Sequence, residues 1–278
     1  MTQQHSGPQV PASLAISLRD ATKKFSAKDG SAFTAIADVD LDVAPGEFVT
    51  IVGPTGCGKS TTLSLVSGLE PATRGSVLVH GRPVTGIPDG VGYMFQADAV
   101  LPWKNVLDNV ALGLRYRKVA KAEADAKAHD WIERVGLGGF EDRYPHQLSG
   151  GMRKRVAMAQ TLITEPSILL LDEPFGALDV QTRELMQDEL LQLWSGTGAA
   201  VVFVTHDLTE AIALADRVVV MTAGPATVKS SIAVDLPRPR RVEDIRLAPE
   251  FIELYRTVWN SLREEVEITR ARGARRVA

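Results

Sequence analysis

The sequence predicts an α/β protein built around a parallel β-sheet. Three short apolar runs carry this prediction, at residues 167–172 (SILLLD), 199–205 (AAVVFVT) and 218–223 (VVVMTA). Near-continuous apolar strands are typical of parallel sheets that are covered on both faces. The first two runs are separated by residues 182–194 (TRELMQDELLQLW), which favour a helix, as the crossover between two parallel strands requires.

Composition and charge exclude several classes of protein. The chain has 278 residues, 45% apolar and 23% charged, which suits about two globular domains of roughly 150 residues each. Its 31 Lys and Arg against 34 Asp and Glu give a net charge of −3, which argues against non-specific nucleic-acid binding. The single cysteine, Cys57, rules out a disulfide scaffold and fits a reducing compartment. The longest uncharged stretch, residues 1–18, lacks a continuous apolar core, so we expect neither a signal peptide nor a membrane span.

The N-terminal part of the chain predicts a tail followed by strands. Residues 1–12 (MTQQHSGPQVPA) are polar with two prolines and predict a flexible tail, with ordered structure starting near Leu14. Alternation at residues 36–43 (IADVDLDV) predicts a half-buried strand that ends at the turn pair Pro45–Gly46. Residues 77–81 (VLVHG) predict another strand.

The middle and the end of the chain are predicted to be helical. Helix formers dominate residues 107–135, and a second helix is expected over residues 152–163 (MRKRVAMAQTLI). The parallel core is therefore interrupted by a helical insertion between about residues 97 and 160. Residues 237–241 (PRPRR) form a basic linker, and residues 243–268 are expected to be helical.

The strongest motif is a glycine-rich loop, GPTGCGKS, between a predicted strand at residues 47–52 (EFVTIV) and a predicted helix at residues 60–69. It has the GxxxxGK[ST] spacing in the strand–turn–helix context that this motif needs. The glycines let backbone N–H groups surround phosphates, and the helix N-terminus adds partial positive charge. Lys59 should reach the β- and γ-phosphates and Ser60 should bind Mg²⁺. The sequence therefore predicts a nucleotide phosphate site.

Two carboxylates follow the buried apolar run at residues 168–171. Acidic residues at the carboxyl end of a parallel strand face the ligand crevice. Asp172 can then hold the magnesium shell while Glu173 orients or deprotonates a water molecule. Taken alone, the pair could be solvated acids at a strand end, but the phosphate loop favours the catalytic interpretation.

A third motif, LSGG at residues 148–151, precedes the basic second helix. In one interpretation Ser149 is an ordinary N-cap and the glycines make the turn. In the other, a phosphate approaches this helix start, which would explain both glycines and the hydroxyl. The spacing alone does not choose between the two.

The order of these motifs resembles that of the ATP-binding subunit of an ABC transporter, and the resemblance covers residues 14–236. The quoted motifs are the phosphate loop at 53–60, Gln96 after a strand (GYMFQ), LSGG at 148–151, the acids at 172–173, GALD at 176–179 and His206 after a buried strand. The resemblance implies a P-loop NTPase (ABC ATPase) fold, α/β in class. It has a parallel-sheet core, an antiparallel β subdomain and a helical subdomain (about 97–160) inserted between the Q-loop glutamine and the signature. The nucleotide-binding domain would span residues 13–236, with a linker and helical tail at 237–278.

The resemblance also implies residue roles, with ATP and Mg²⁺ as cofactors. In this family two copies dimerise head to tail, and each ATP lies between one phosphate loop and the other copy's signature. Glu173 and His206 would be catalytic, and Ser60, Gln96 and Asp172 would hold the metal. Phe25, in TKKF, would stack on adenine, unless it is an ordinary edge-of-core aromatic. The implied ATP contacts are Phe25, Gly53, Pro54, Thr55, Gly56, Cys57, Gly58, Lys59, Ser60, Thr61, Gln96, Ser149, Gly150, Gly151 and Asp179.

Several positions depart from the family's commonest form. Met152 replaces a frequent glutamine, Gly176 a frequent serine, and Gln160 a common arginine. None of them removes an implied phosphate, magnesium or water ligand, so we expect an active ATP hydrolase. At the helix mouth Cys57 either has a lowered thiol pKa or is simply a small residue that fits.

The resemblance extends to partners and location. Residues 95–114, 151–159 and 234–240 together resemble the nitrate, sulfonate and taurine importer group, so import of such a small solute is expected. The partners would be a second copy, transmembrane permease subunits that bind around Gln96–Trp103, and indirectly a solute-binding protein. Trp103 could instead be a plain core residue. We expect no nucleic-acid partner and a location at the cytoplasmic face of the membrane, cytosolic when isolated.

Other functions stay open from the sequence. One is the ATPase of another transport type, such as an exporter made from separate chains. Another is a non-transport ABC ATPase in DNA repair or translation. The segment from Gln96 to Ser149 argues against it, because this segment is too short for a long coiled-coil insertion. A nucleotide kinase would share the phosphate loop but lack the LSGG segment.

Overall fold

A computed structural model describes residues 14–26, 31–97 and 99–277, with side chains described as far as residue 272. The predicted flexible tail at 1–12 lies outside the described residues. The strands are β1 Ile16–Ser26, β2 Ala32–Val43, β3 Phe48–Val52, β4 Arg74–Val79, β5 Arg82–Pro83, β6 Val91–Met94, β7 Ile168–Asp172, β8 Ala200–Val204, β9 Arg217–Met221 and β10 Val228–Ala233. The helices are α1 Lys59–Val66, α2 Val106–Val110, α3 Leu112–Tyr116, α4 Lys121–Arg134, α5 Gly150–Leu162, α6 Val180–Trp194, α7 Leu208–Leu214, α8 Val242–Ile245 and α9 Pro249–Val277, with a 3-10 turn at Pro145–Gln147.

The central sheet has the strand order β10-β9-β3-β8-β7-β6 and is parallel except for β10. The three apolar runs that predicted a parallel sheet form β7, β8 and β9, so that prediction is confirmed. Alternate residues of β7 enter two different cores: Ile168 and Leu170 lie in one, Leu169 and Leu171 in the other. This covering of both faces is why the strands are apolar throughout.

A second, antiparallel sheet has the order β2-β1-β4-β5. Its longest pairing joins β1 to β2, with Phe25 opposite Phe33. The strand predicted at residues 36–43 matches the C-terminal two thirds of β2, whereas β1 was not predicted as a long strand. Register shifts interrupt β1 and Asp20 has a φ of 48°, so bulges break the alternation by which a strand is recognised.

The helical insertion contains α2 to α5. The helix expected over residues 107–135 is divided into α2, α3 and α4, which corrects the prediction of one continuous element. Lys118 has a φ of 60°, which ends the helical path after α3. The second predicted helix begins at Gly150 rather than at residue 152 and ends at Leu162.

The C-terminal part forms α8 and α9. Pro249 starts α9, the position where proline is best tolerated in a helix. The helix ends at Val277, beyond the predicted end at residue 268. In the described part of the chain no helix combines the length and the apolar composition needed to cross a bilayer.

Phe203 of β8 offers a test of how far this packing determines stability. It is fully buried, and its ring centroid lies 6.0 Å from those of Phe48 and Phe175. Phe203→Ala should lower the free energy of unfolding by about 3–5 kcal/mol, because it leaves a cavity. The measurement is urea denaturation. Ile87→Ala, at a residue 75% exposed, is the control and should change it by less than about 0.5 kcal/mol; equal effects would contradict this packing.

Candidate active site

The phosphate loop joins β3 to α1 and requires glycine at one position above all. Gly58 has a φ of 128°, and a Cβ there would lie 2.5 Å from Cγ2 of Ile36 and 2.8 Å from the Ala35 carbonyl oxygen. Gly56 has a φ of 73° but open space around it. The loop thus passes directly against β2 at Gly58, and no other residue type fits there without displacing the strand or the loop.

Lys59 is the first residue of α1 and is buried, only 5% exposed. Its ammonium donates hydrogen bonds to the carbonyl oxygens of Gly53 (3.0 Å) and Pro54 (3.2 Å). The loop therefore folds around the cation. Because these two acceptors are neutral carbonyls, the ammonium keeps its full positive charge and is suited to an anion.

Cys57 points away from the ligand side of this loop. It is 2% exposed and belongs to the core beneath the sheet. Burial raises the pKa of its thiol, so the lowered pKa considered from the sequence is wrong, and Cys57 is a small residue that fits.

Asp172 lies at the carboxyl end of β7, next to the start of α1. The Ser60 hydroxyl donates to its Oδ1 at 2.9 Å, and the Tyr93 hydroxyl to its Oδ2 at 3.4 Å. Burial raises the pKa of Asp172, partly offset by the Ser60 hydrogen bond. A hydroxyl and a carboxylate side by side are the oxygen ligands that Mg²⁺ takes together with substrate phosphates, so this donor set fits the ion.

Glu173 turns the chain out of the sheet. Its φ of 43° is unusual for a residue other than glycine, and its backbone N–H donates to the Val204 carbonyl at 2.9 Å. Its Oε2 lies 3.2 Å from His206 Nδ1 and 3.4 Å from Gln96 Nε2. Gln96 therefore contacts the carboxylate of Glu173, which its predicted role as a metal ligand does not include.

These segments surround one open cavity of about 390 Å³. Of the predicted contacts, it brings together those from β1, the phosphate loop, the Q-loop, the end of β7 and the end of β8. Gly53 and Pro54 line a neighbouring cavity instead, beside α9. The residues that line the phosphate-loop cavity itself are Phe25, Phe33, Ala35, Thr55, Gly56, Gly58, Lys59, Ser60, Thr61, Gln96, Glu173 and His206.

The signature residues do not line this cavity. Ser149 is exposed and caps α5, its hydroxyl accepting a hydrogen bond from the Met152 N–H at 3.2 Å. Asp179 is exposed and caps α6, accepting from the Thr182 N–H at 3.0 Å, and this backbone hydrogen bond lowers its carboxyl pKa. The starts of α5 and α6 lie side by side, since a Cβ on Gly151 would be 2.9 Å from Thr182 Cγ2. Ser149, Gly150, Gly151 and Asp179 thus form a second surface, which we call the signature surface.

Three residues at the site were not predicted. Phe33 and Ala35 line the cavity from β2, and Tyr93 contacts Asp172. Extending the predicted strand upstream through AFTA would have placed Phe33 opposite Phe25 in a hairpin. The signal for Tyr93 is its position in GYMFQ, on the strand that pairs in parallel with β7.

The region predicted to bind a permease is partly exposed. Trp103 is 71% exposed, so the alternative of core packing is wrong. Phe95 is also exposed and stacks on Tyr93, with ring centroids 4.2 Å apart. Asp98, within this region, lies outside the described residues.

A phosphate loop, a strand-end carboxylate pair and a histidine at the same end of a parallel sheet define a P-loop nucleoside triphosphatase. The chain matches the ABC transporter family over residues 36–176. It belongs to this family.

Relatives and solved structures agree with that assignment. The chain is 45% identical over 238 residues to an uncharacterised ABC transporter ATP-binding protein of Methanocaldococcus jannaschii, covering 86% of this chain and 88% of that protein. It is 42% identical over 240 residues to a taurine import ATP-binding protein of Burkholderia pseudomallei, covering 85% and 92%. A dimeric ATP-binding cassette bound to ADP and Pi has a TM-score of 0.71 at 30% identity, covering 80% of this chain and all of that one. The chain is thus an ATP hydrolase with the predicted ABC ATPase fold.

Gly58→Ala tests the geometry of the phosphate loop. The added Cβ must displace Ile36 or the Ala35 carbonyl, so the Kd for ATP should rise at least about tenfold, or about 1.4 kcal/mol. Titration with a fluorescent ATP analogue measures it, and circular dichroism checks the fold. Gly81→Ala, in the turn between β4 and β5 and outside the cavity, is the control: its φ is 73°, no atom lies within 4 Å of the added Cβ, and the Kd for ATP should stay unchanged. Unchanged affinity in a folded Gly58→Ala protein would contradict this geometry.

Proposed function

We propose that this chain is the ATPase motor of an importer for a small solute of the taurine, sulfonate or nitrate type, working as a homodimer on a separate membrane permease. The observation that carries the proposal is the contact of Glu173 with both Gln96 and His206 in the cavity that holds the phosphate loop. Sequence similarity to a taurine import ATP-binding protein supports the solute class.

Substrate binding divides among three groups of residues. Phe25 is placed to stack on adenine, opposite Phe33 on the neighbouring strand. The loop from Gly53 to Thr61 holds the phosphates through its N–H groups and Lys59. Ser60 and Asp172, with Gln96 nearby, hold Mg²⁺, which when bound neutralises charge on the β- and γ-phosphates.

Hydrolysis needs a base next to the γ-phosphate, and Glu173 supplies it. Its carboxylate takes a proton from water as the water oxygen bonds to the γ-phosphorus. The bond from that phosphorus to the β–γ bridging oxygen breaks, and ADP leaves with the electron pair. His206 and Gln96 hold Glu173 from two sides and position the water.

The second half of each site comes from the second copy. The signature surface is exposed and separate from the phosphate-loop cavity of its own chain. A head-to-tail dimer places it over the partner's γ-phosphate, with the N-terminus of α5 directed at the anion. The dimeric form of a similar cassette supports this arrangement.

We place the permease on the exposed aromatic residues of the region predicted to bind it. Phe95 directly precedes Gln96, which contacts the catalytic carboxylate, and Trp103 adds exposed apolar area further along the chain. ATP closes the dimer, and closure drives the permease towards its outward-facing state. The chain then works as a peripheral protein at the cytoplasmic face of the membrane, and a solute-binding protein delivers the solute to the permease.

Glu173→Gln should lower ATP turnover by about 10²–10⁴-fold, because it removes the general base. It should also trap an ATP-bound dimer, measured by light scattering with and without Mg²⁺. Adding Lys59→Ala to that variant should abolish the dimer, because the phosphate loop no longer binds ATP. Normal turnover in the Glu173→Gln protein would overturn the assigned role.

Mixing two inactive variants tests whether each site is shared between copies. Lys59→Ala and Ser149→Arg should each be inactive alone, but a mixed dimer has one complete site. An equal mixture should recover about a quarter of wild-type turnover, since half of the dimers are mixed.

The control mixture combines Lys59→Ala with Glu173→Gln, which affect the same side of the site. It should recover nothing, because every site in such a mixed dimer lacks one of the two residues. If each site lay within one chain, neither mixture would recover, so a first mixture as inactive as the control would contradict a shared site.

A further inference from the structure

Glu210 is a buried carboxylate for which the mechanism above has no use. It lies in α7, is 5% exposed, and sits one helical turn after His206. Its Oε2 accepts a short hydrogen bond from the Thr205 hydroxyl, and its Oε1 accepts one from Gln187 Nε2 at 2.9 Å. All three side chains are buried.

Hydrogen bonds fix the residues that precede and follow His206 in the chain. Thr205 precedes it, and the Thr205 hydroxyl also accepts a hydrogen bond from the Asp207 N–H at 3.0 Å. Asp207 follows it and caps α7 through the N–H groups of Thr209 (2.8 Å) and Glu210 (3.2 Å). The segment that presents His206 to Glu173 is therefore fixed by hydrogen bonds that converge on Glu210 and Asp207.

Helix α6 contributes to both ends of this arrangement. Gln187 holds Glu210, and Arg183 lies 3.5 Å from the Asp207 carboxylate. Because Asp179, on the signature surface, caps α6, His206 is fixed relative to the helix whose start we place against the partner.

We propose that Glu210 is a positioning residue for His206, acting through the Thr205 hydroxyl, and that Gln187 anchors it to α6. The inference rests on the proposed function, since it assumes that His206 acts on the γ-phosphate site. The pKa of Glu210 is raised to about 6, mainly by burial, while the hydrogen bonds from Thr205 and Gln187 oppose the rise. A carboxylate kept where burial opposes its charge is typical of a functional arrangement.

The first test compares Glu210→Ala with Glu210→Gln. The alanine variant should lose at least about tenfold in kcat, because small misplacements of a reacting group are costly. Its Kd for ATP should stay unchanged, since the phosphate loop is untouched. Glutamine keeps an acceptor for Thr205, and the Gln187 amide can turn to meet it, so kcat should stay within about threefold of wild type.

Thr50→Val is the matched control for a purely structural role. Thr50 is fully buried and donates from its hydroxyl to the Ala211 carbonyl at 3.2 Å, so it also ties α7 to the core, through a residue that follows Glu210 rather than through Thr205 or Asp207. It should lower the melting temperature and leave kcat unchanged. A kcat for Glu210→Ala no lower than for Thr50→Val, or an equally slow Glu210→Gln protein, would overturn the inference.

A second pair of variants covers the case in which Glu210→Ala does not fold. Thr205→Val removes the hydroxyl that links Glu210 to the His206 segment, while Thr205→Ser keeps it. The valine variant should be slow and the serine variant close to wild type; equal rates would overturn the inference. Glu173→Gln in the same assay separates failure of this inference from failure of the proposed function. If Glu173→Gln loses turnover while Glu210→Ala stays fully active, the positioning role is rejected and the proposed function is not.

Discussion

The parallel register of β3, β7 and β8 is the constraint on which the active site depends. Ile51 and Asp172 both pair with Val204, so the three strands end level with one another. The phosphate loop, the two acids and His206 therefore leave the sheet at the same edge. Register is in turn fixed by packing, because a slip of one residue would exchange the side chains that β7 directs into its two cores. The buried sheet thus sets the distances between groups that are far apart in the chain.

The site at this edge keeps charges that the core alone would disfavour. Lys59 and Asp172 are both buried, and Glu173 has a left-handed backbone. Each of these costs stability when the protein is considered by itself. The charges match those of a magnesium nucleotide, since in the proposed function the lysine would face an anion and the carboxylate a cation. Binding of a nucleotide would therefore offset the cost in stability of the buried charges. A ligand that binds only the folded chain also stabilises the folded state.

Local patterns made most of the fold and the phosphate site predictable. The phosphate loop, the strand-end acids and the parallel strands depend on spacing within a few residues. Features that depend on distant contacts were missed. The bulges of β1 hid a strand, and Phe33 reaches the cavity only through its pairing with Phe25. The direction of Cys57 and the exposure of Trp103 were decided by packing, which single-residue chemistry does not contain. The contact of Glu210 with Gln187 joins two helices and has no signature in either one.

The two interpretations of Ser149 are compatible with each other. As the cap of α5, its hydroxyl oxygen accepts a hydrogen bond from the Met152 N–H. A hydroxyl has one proton to donate as well as two lone pairs, so capping leaves the proton for a phosphate oxygen. Asp179 differs, because its carboxylate only accepts, and its lowered pKa keeps it charged. In the proposed dimer it would therefore meet a donor on the partner rather than a phosphate. One exposed surface thus offers a donor for the nucleotide beside an acceptor for the opposing chain, as a site completed by a second copy requires.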